Sequence, residues 1–300
     1  MLWLFTALAS YISFAVSAIF VKYLVSKVAL GARTFVFYMG ILGMLVFLLV
    51  PFVHFSIPSP FQILLSIGAG ITLAYSTFFL LEGLQKFEAS RIVPAIGGLV
   101  PLFTFSFVFI LSKGDISLSF FQFLSFILLM GGIVLLTIEK GMMINKASLR
   151  IALTAAFFIA LSFVMTKYVY LHQPFWQGLI LMRIGGFLLS VWLLLFSKEV
   201  QREVFQSKHQ AIAPVFLLSQ VVGALAEVLR NGAIFLVPLA MLPFINALQG
   251  VEYAFLLVFT FFMSRYFPHV LKEETAPKIM RQKIFAMACI VFGLIIIAFS

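Results

Sequence analysis

The chain has 300 residues, of which 63% are hydrophobic and only 10% charged. A soluble domain carries about 25% charged residues, so the composition reads as an integral membrane protein with little material outside the bilayer. The formal net charge of +10 is spread over short loops between apolar runs, which is how membrane topology is encoded. Nucleic acid is therefore not expected as a partner.

Ten segments are apolar enough, over the roughly 20 residues a spanning helix needs, to be read as transmembrane helices. They cover about 2–25, 33–53, 61–84, 91–112, 119–138, 149–171, 175–197, 212–237, 240–263 and 281–299. Runs of this length, apolar on every side, do not fit barrel strands of about ten alternating residues. The start, Met1-Leu-Trp-Leu-Phe, has no basic n-region and reads as the first span, not as a removable signal. Connections such as 55–60 and 172–174 are short, as in antiparallel helical neighbours. The longest polar stretches, 198–210 and 265–283, are too short for a separate soluble domain. Cys289 is the only cysteine, which excludes an intramolecular disulfide and a cysteine metal cluster.

The two halves look alike. Ala15-Val-Ser17-Ala-Ile-Phe-Val-Lys22-Tyr23 matches Ala160-Leu-Ser162-Phe-Val-Met-Thr-Lys167-Tyr168 as A-x-S-x-x-x-x-K-Y. Gly40 matches Gly185 at the same offset, and the stretch around Gly131-Gly132 resembles that around Gly293. The domain reading is two five-span repeats, 1–145 and 146–300. An odd span number forces the halves into opposite orientations, the inverted-repeat plan of many secondary transporters, with the site near the midplane. Most Lys and Arg residues fall in loops after the first, third, fifth, seventh and ninth spans. That side is expected to be cytoplasmic, with both termini outside. On this reading Lys22 and Lys167 lie near span ends, where they either gate each mouth or snorkel to the interface.

With these features the chain resembles the EamA family of the drug/metabolite transporter superfamily. The resemblance is carried by ten spans in two fives, by the lysines Lys22 and Lys167, by the proline-bearing Ala95-Ile-Gly-Gly-Leu-Val-Pro101, and by the Gly-rich repeat ends Met130-Gly-Gly132 and Phe292-Gly293. Members often carry a Glu in a short hairpin after the fourth helix. Here that place holds Leu111-Ser-Lys-Gly-Asp115. The resemblance implies a transporter and leaves the cargo open.

The stretch from 211 to 262 points to a site. It reads as two apolar helices joined at Pro238-Leu-Ala-Met-Leu-Pro243, with polar residues in mid-span. Gln220, Glu227, Arg230 and Asn231 share one helical face, and Asn246, Gln249, Glu252 and Tyr253 share another. At about 1.5 Å per residue, Arg183, Glu227, Arg230, Asn246, Gln249 and Glu252 fall in one slab, roughly 9–18 Å from the outer side. Ionisable groups at that depth usually face a protein interior or a water-filled cavity. One reading is a pocket in which Arg183 or Arg230 holds an anionic group while Glu227 or Glu252 holds a cationic group or a proton. The other is a pair of internal ion bridges locking helices together. From the first half, Tyr11, Ser13, Ser17, Tyr38, Tyr75, Ser76 and Thr77 are candidates for the opposite wall, although Ser and Tyr also serve as interhelical glue. Glu82 and Lys86 are spaced as an i,i+4 pair.

No P-loop G-x-x-x-x-G-K-[ST] and no hydrolase motif such as G-x-S-x-G or H-E-x-x-H occurs in the sequence. The histidines have no metal-ligand spacing, so neither a cofactor nor a metal is expected. The expectation is a secondary transporter, not an enzyme, moving a small polar metabolite such as an amino acid, a similar zwitterion or an organic ion across the inner (cytoplasmic) membrane. It would be proton-coupled or an exchanger. Its expected partners are the small-molecule substrate and the lipid bilayer. An intramembrane enzyme or a lipid translocator built on Glu227, Arg230 and Glu252 is the competing class.

Overall fold

The computed structural model describes residues 2–27, 31–87, 89–115, 118–137, 146–206, 213–266 and 277–299. These are almost wholly helical, with no strand among the described residues. In chain order the helices are α1 (Leu2–Lys27), α2 (Ala32–Gly43), α3 (Pro60–Lys86), α4 (Ala89–Leu111), α5 (Phe120–Thr137) and α6 (Lys146–His172). Then follow α7 (Phe175–Phe196), α8 (Lys198–Gln206), α9 (Ala213–Leu236), α10 (Leu242–Ala247), α11 (Gln249–Tyr266) and α12 (Pro277–Phe299). The chain after α2 tightens into a 3₁₀ helix over Met44–Phe52, and a short one, Leu239–Met241, leads into α10.

Helix starts follow from local chemistry. Ser59 and Gln62 form a capping box before Pro60, the first residue of α3. Ser119 and Gln122 repeat the same reciprocal pair at the start of α5. Each box satisfies two amides that the helix itself leaves unpaired.

Six described segments are long and apolar enough to cross a membrane: Ala32–Phe52, Pro60–Lys86, Lys146–His172, Phe175–Phe196, Leu239–Leu256 and Arg281–Phe299. Shorter apolar helices cover Leu2–Ala18, Ala95–Leu111 and Phe120–Leu135. Large apolar side chains face outward, among them Leu48, Phe61, Phe120 and Ile110, each more than half exposed. Such a surface aggregates in water and suits lipid, so the chain is a membrane-embedded helical protein.

The structure departs from the sequence reading in two places. The polar stretch 198–210 begins with a helix, α8, whose Val200 is buried and whose carboxylates reach the start of α2. Glu203 accepts from the Gly31 amide at 3.2 Å, and Glu199 pairs with Arg33 at 3.3 Å. Negative charge at a helix N-terminus is favourable, so α8 docks there. The second departure is that 240–263 is not one continuous span. It breaks between α10 and α11, around Leu248. Tyr11 of α1 donates to the Ile245 carbonyl at 2.6 Å, and Asn246 donates to Thr104 of α4 at 2.6 Å. Irregular backbone at membrane depth persists only where neighbours satisfy its polar groups; the Tyr11 bond does so for the Ile245 carbonyl, and the Asn246 bond ties the side chain of α10 to α4.

Helix pairs are formed by reciprocal close contacts. α1 packs on α9 and α6 on α3, while α2 packs on α7 and α5 on α12. α3 also crosses α7, where a Cβ on Gly70 would lie 1.8 Å from the Met182 carbonyl and one on Gly185 2.1 Å from the Ile67 carbonyl. Only glycine at both positions lets the two backbones touch.

That crossing generates a paired test. Gly185→Ala puts a methyl into a backbone carbonyl that cannot rotate away, and overpacking of this kind costs about 1–3 kcal/mol. Gly186→Ala next to it meets nothing within 4 Å and should be neutral or stabilising by roughly 0.5–1 kcal/mol, the usual gain over a helical glycine. Thermal unfolding of both variants in detergent should rank Gly185→Ala well below the parent. The reverse order would contradict the α3–α7 crossing.

Candidate functional site

The site is built around one turn of α9, Glu227-Val-Leu-Arg230-Asn231, where spacings of three and four place both polar partners over the carboxylate. Arg230 pairs with Glu227 Oε2. Asn231 Nδ2 donates to Glu227 Oε1 at 3.1 Å and to the Glu227 carbonyl at 2.8 Å. Tyr170 of α6 donates its hydroxyl to Asn231 Oδ1 at 2.9 Å. Both carboxylate oxygens and the Asn231 amide are therefore occupied within the protein.

The two arginines differ in kind. The Arg230 guanidinium lies between Phe14 of α1 and Phe163 of α6, 5.0 and 5.1 Å from the ring centroids. Cation–π contact on both faces and a short ion pair fix it in place. Arg183 of α7 meets Glu227 Oε1 only at 3.7 Å, outside hydrogen-bond distance. It makes no hydrogen bond among the described residues. Its side chain lines a cavity between α2, α3, α6, α7 and α9, together with Gly40, Gly43, Gly70, Thr77, Thr166 and Gly186. Glu227 and Asn231 form the polar floor of the same cavity, and Val36, Met39, Leu73, Leu179 and Met182 supply much of the remainder.

The end of α9 carries a further buried cation. Pro238 has no amide, so the Ile234 carbonyl four residues earlier has no helical donor. Lys167 of α6 supplies one: its ammonium donates to the Ile234 and Phe235 carbonyls, each at 3.1 Å. A cation at a helix C-terminus complements the partial negative charge there. Lys167 is only 4% exposed, so of the two readings offered for it, gating or snorkelling, the snorkelling one does not fit its buried ammonium. The side chain of Lys22, its counterpart in the sequence repeat, lies outside the described residues.

The structure brings together four of the ten predicted site residues, Arg183, Glu227, Arg230 and Asn231, with Arg230 behind the carboxylate and not in the cavity wall. Asn246 is buried on Thr104, which itself bonds the Val100 carbonyl, so it holds the broken helix. Gln249 donates to Glu252, and Glu252 sits in electrostatic reach of Arg230 and Tyr11. Neither lines the cavity. The first-half wall is not the expected one. Ser17 donates to the Ser219 carbonyl at 3.1 Å, joining α1 to α9. Tyr38 packs against Phe37. Tyr75 lines a separate recess with Arg33, Phe78 and Trp192. Of the first-half candidates only Thr77 reaches the Arg183 cavity. Tyr170 and Thr166 escaped the sequence reading, although both flank Lys167 of the repeated A-x-S-x-x-x-x-K-Y segment.

The contrast between the arginines predicts different costs. Arg230→Gln leaves Glu227 without its close partner, and breaking a buried pair typically costs about 3–5 kcal/mol. Arg183→Gln removes a long contact at a cavity wall and should cost less than about 1 kcal/mol. Unfolding of both variants in mixed micelles separates the two. Equal destabilisation would make Arg183 a structural clamp.

Neither a family model nor a curated protein matches this sequence. Among solved structures, one crystallographically determined protein is similar with a TM-score of 0.67 at 13% identity, covering 96% of this chain and 97% of its own. At that identity the likeness shows a shared fold over nearly the whole length of both chains.

Proposed function

We propose that this protein is a secondary transporter for a small organic ion, the class that includes amino acids, and that it follows the EamA-like plan of ten spans in two inverted repeats within the cytoplasmic membrane. The observation that carries the reading is the Arg183 cavity. An arginine without a hydrogen bond among the described residues lines a recess between five helices. A stabilising lock would not leave the donors of a costly intramembrane cation unused.

Packing supports the inverted repeat. Under it α1 corresponds to α6 and α3 to α9, so the α1–α9 and α6–α3 pairs are the same contact made twice. The α5–α12 pair is its own counterpart: Gly132 receives Ile290 and Gly293 receives Leu129. The α3–α7 crossing has no such partner, because α2 makes no comparable contact with α9. An asymmetric arrangement of symmetric parts is what one state of an alternating-access cycle looks like. The enzyme reading finds less support, since both Glu227 oxygens are engaged and Glu252 does not line the cavity.

Purified protein in liposomes should take up the metabolites that change most between cells with and without it, and should return them chemically intact. Conversion of the substrate would favour an enzyme. For coupling, the acid to test is Glu252, whose side chain is held by its neighbour Gln249. Glu252→Gln should abolish uptake driven by a pH gradient and leave exchange between compartments of equal pH. Unchanged gradient-driven flux would remove Glu252 as the coupling site.

Orientation has its own measurement. In a Cys289→Ala background, an impermeant thiol reagent added outside should label Ser300→Cys and miss Glu274→Cys. Labelling at 274 would invert the assignment.

A further inference from the structure

We propose that the cargo is an organic monoanion, a carboxylate on a small apolar body, and not a zwitterion or a cation. The inference rests on the reading that the Arg183 cavity is the cargo site, and it narrows what that site accepts.

The donors and acceptors of the cavity wall are unequally committed. On the donor side, Arg183 offers a planar fork of N–H groups. It forms no hydrogen bond among the described residues, and its contact with Glu227 is 3.7 Å long. A ligand carboxylate fits that fork in a bidentate, charge-assisted pair. On the acceptor side no charged group is uncommitted. Among the described residues Glu227 is the one carboxylate in the wall. Its Oε2 holds Arg230 and its Oε1 holds Asn231. The Asn231 carbonyl oxygen already accepts from Tyr170. The Thr77 hydroxyl donates to the Leu73 carbonyl at 3.1 Å and that of Thr166 to Met182 sulfur at 3.5 Å, which leaves their oxygens as uncharged acceptors only. An ammonium in this cavity would have to share Glu227 with Arg230 and Asn231 or rest on neutral hydroxyl and amide oxygens, and it finds no uncommitted carboxylate there.

The local charge runs the same way. Arg183 is the wall cation without a close carboxylate among the described residues: Glu227 pairs at short range with Arg230, and Glu252, also in reach of Arg230, does not line the cavity. A ligand carboxylate supplies that close partner, and an ammonium brings no complement to it. The rest of the wall sets the body of the ligand. Val36, Met39, Leu73, Leu179 and Met182 offer apolar contact and no further polar group.

The test uses three molecules with one carbon skeleton: 4-methylpentanoate, leucine and 3-methylbutylamine. Equilibrium binding to the full-length protein in nanodiscs is measured by calorimetry, with no gradient and no flux. The expected result is that 4-methylpentanoate binds at least tenfold tighter than leucine and that the amine neither binds nor competes. Arg183→Gln should weaken binding of the acid tenfold or more, and Arg183→Lys should retain part of it. Leucine binding within tenfold of the acid, binding of the amine, no binding of the acid, or an Arg183→Gln variant of unchanged affinity would each overturn the proposal. The parent protein alone decides the ligand class if a variant fails to fold. Binding of the acid without its uptake into liposomes would refute the transport reading and leave the ligand class standing.

Discussion

A carboxylate placed among apolar helices has to be neutralised where it stands, and Glu227 is the group on which the centre of this molecule depends. The free energy of an isolated ion in a low-dielectric medium is prohibitive. Each neighbour of Glu227 answers that demand. Arg230 comes from the next turn of the same helix, Asn231 from the turn's other side, and Tyr170 from α6 orients the amide. Phe14 and Phe163 then hold Arg230 from two other helices. A need that arises at one atom thus draws α1, α6 and α9 into a fixed arrangement. Arg183 lies outside the set of short contacts, and its helix, α7, is the one that crosses α2 and α3 on glycine.

The same logic governs the broken element next to the site. Prolines at 238 and 243 and the turn at Leu248 interrupt helical hydrogen bonding three times within a dozen residues. Carbonyls on either side of the interruptions have a named donor from another helix, Lys167 at Ile234 and Phe235 and Tyr11 at Ile245, and the Asn246 side chain ties the segment to Thr104. Lipid offers no hydrogen bonds, so these repairs have to be internal. The segment of α9 to α11 is therefore held by side chains from α1, α4 and α6 in addition to its own backbone.

Much of this was legible in the sequence, and the reasons for the rest are physical. Hydropathy locates the helices because burial in lipid needs apolar length. Helical spacing puts Glu227, Arg230 and Asn231 on one face, and the structure places them in contact. Periodicity says nothing about what lies opposite. Tyr38, Tyr75 and Ser17 share the chemistry of wall residues, yet helix rotation sends them to other contacts, and Gly40, Gly43 and Gly70 line the cavity instead. Glycine leaves a recess by omission, which no polar-residue search detects. The break at Leu248 is not legible because no proline marks that point in the sequence and the contacts that hold it come from distant positions 11 and 104. Lys167 looked like a span-end lysine because its partner is a carbonyl freed by Pro238, sixty-seven and more residues away in sequence.

Two arginines beside one glutamate would be redundant if both were there for stability. A lock is strongest when every donor is used and every ring contact is made, which describes Arg230. A binding group must exchange one partner for another without unfolding its helix, and a long, single contact to Glu227 meets that condition. In the proposed cycle a ligand on Arg183 also changes how α7 relates to α9, because the Arg183–Glu227 contact is the ionic tie between those two helices. A ligand shifts a conformational equilibrium only by interacting differently with the two states. The guanidinium gives such a difference: with cargo bound it is satisfied by the cargo, and without cargo it turns to Glu227. In the proposed reading, the weakness of one ion pair against the strength of its neighbour is what assigns Arg183 to the cargo and Arg230 to the fold.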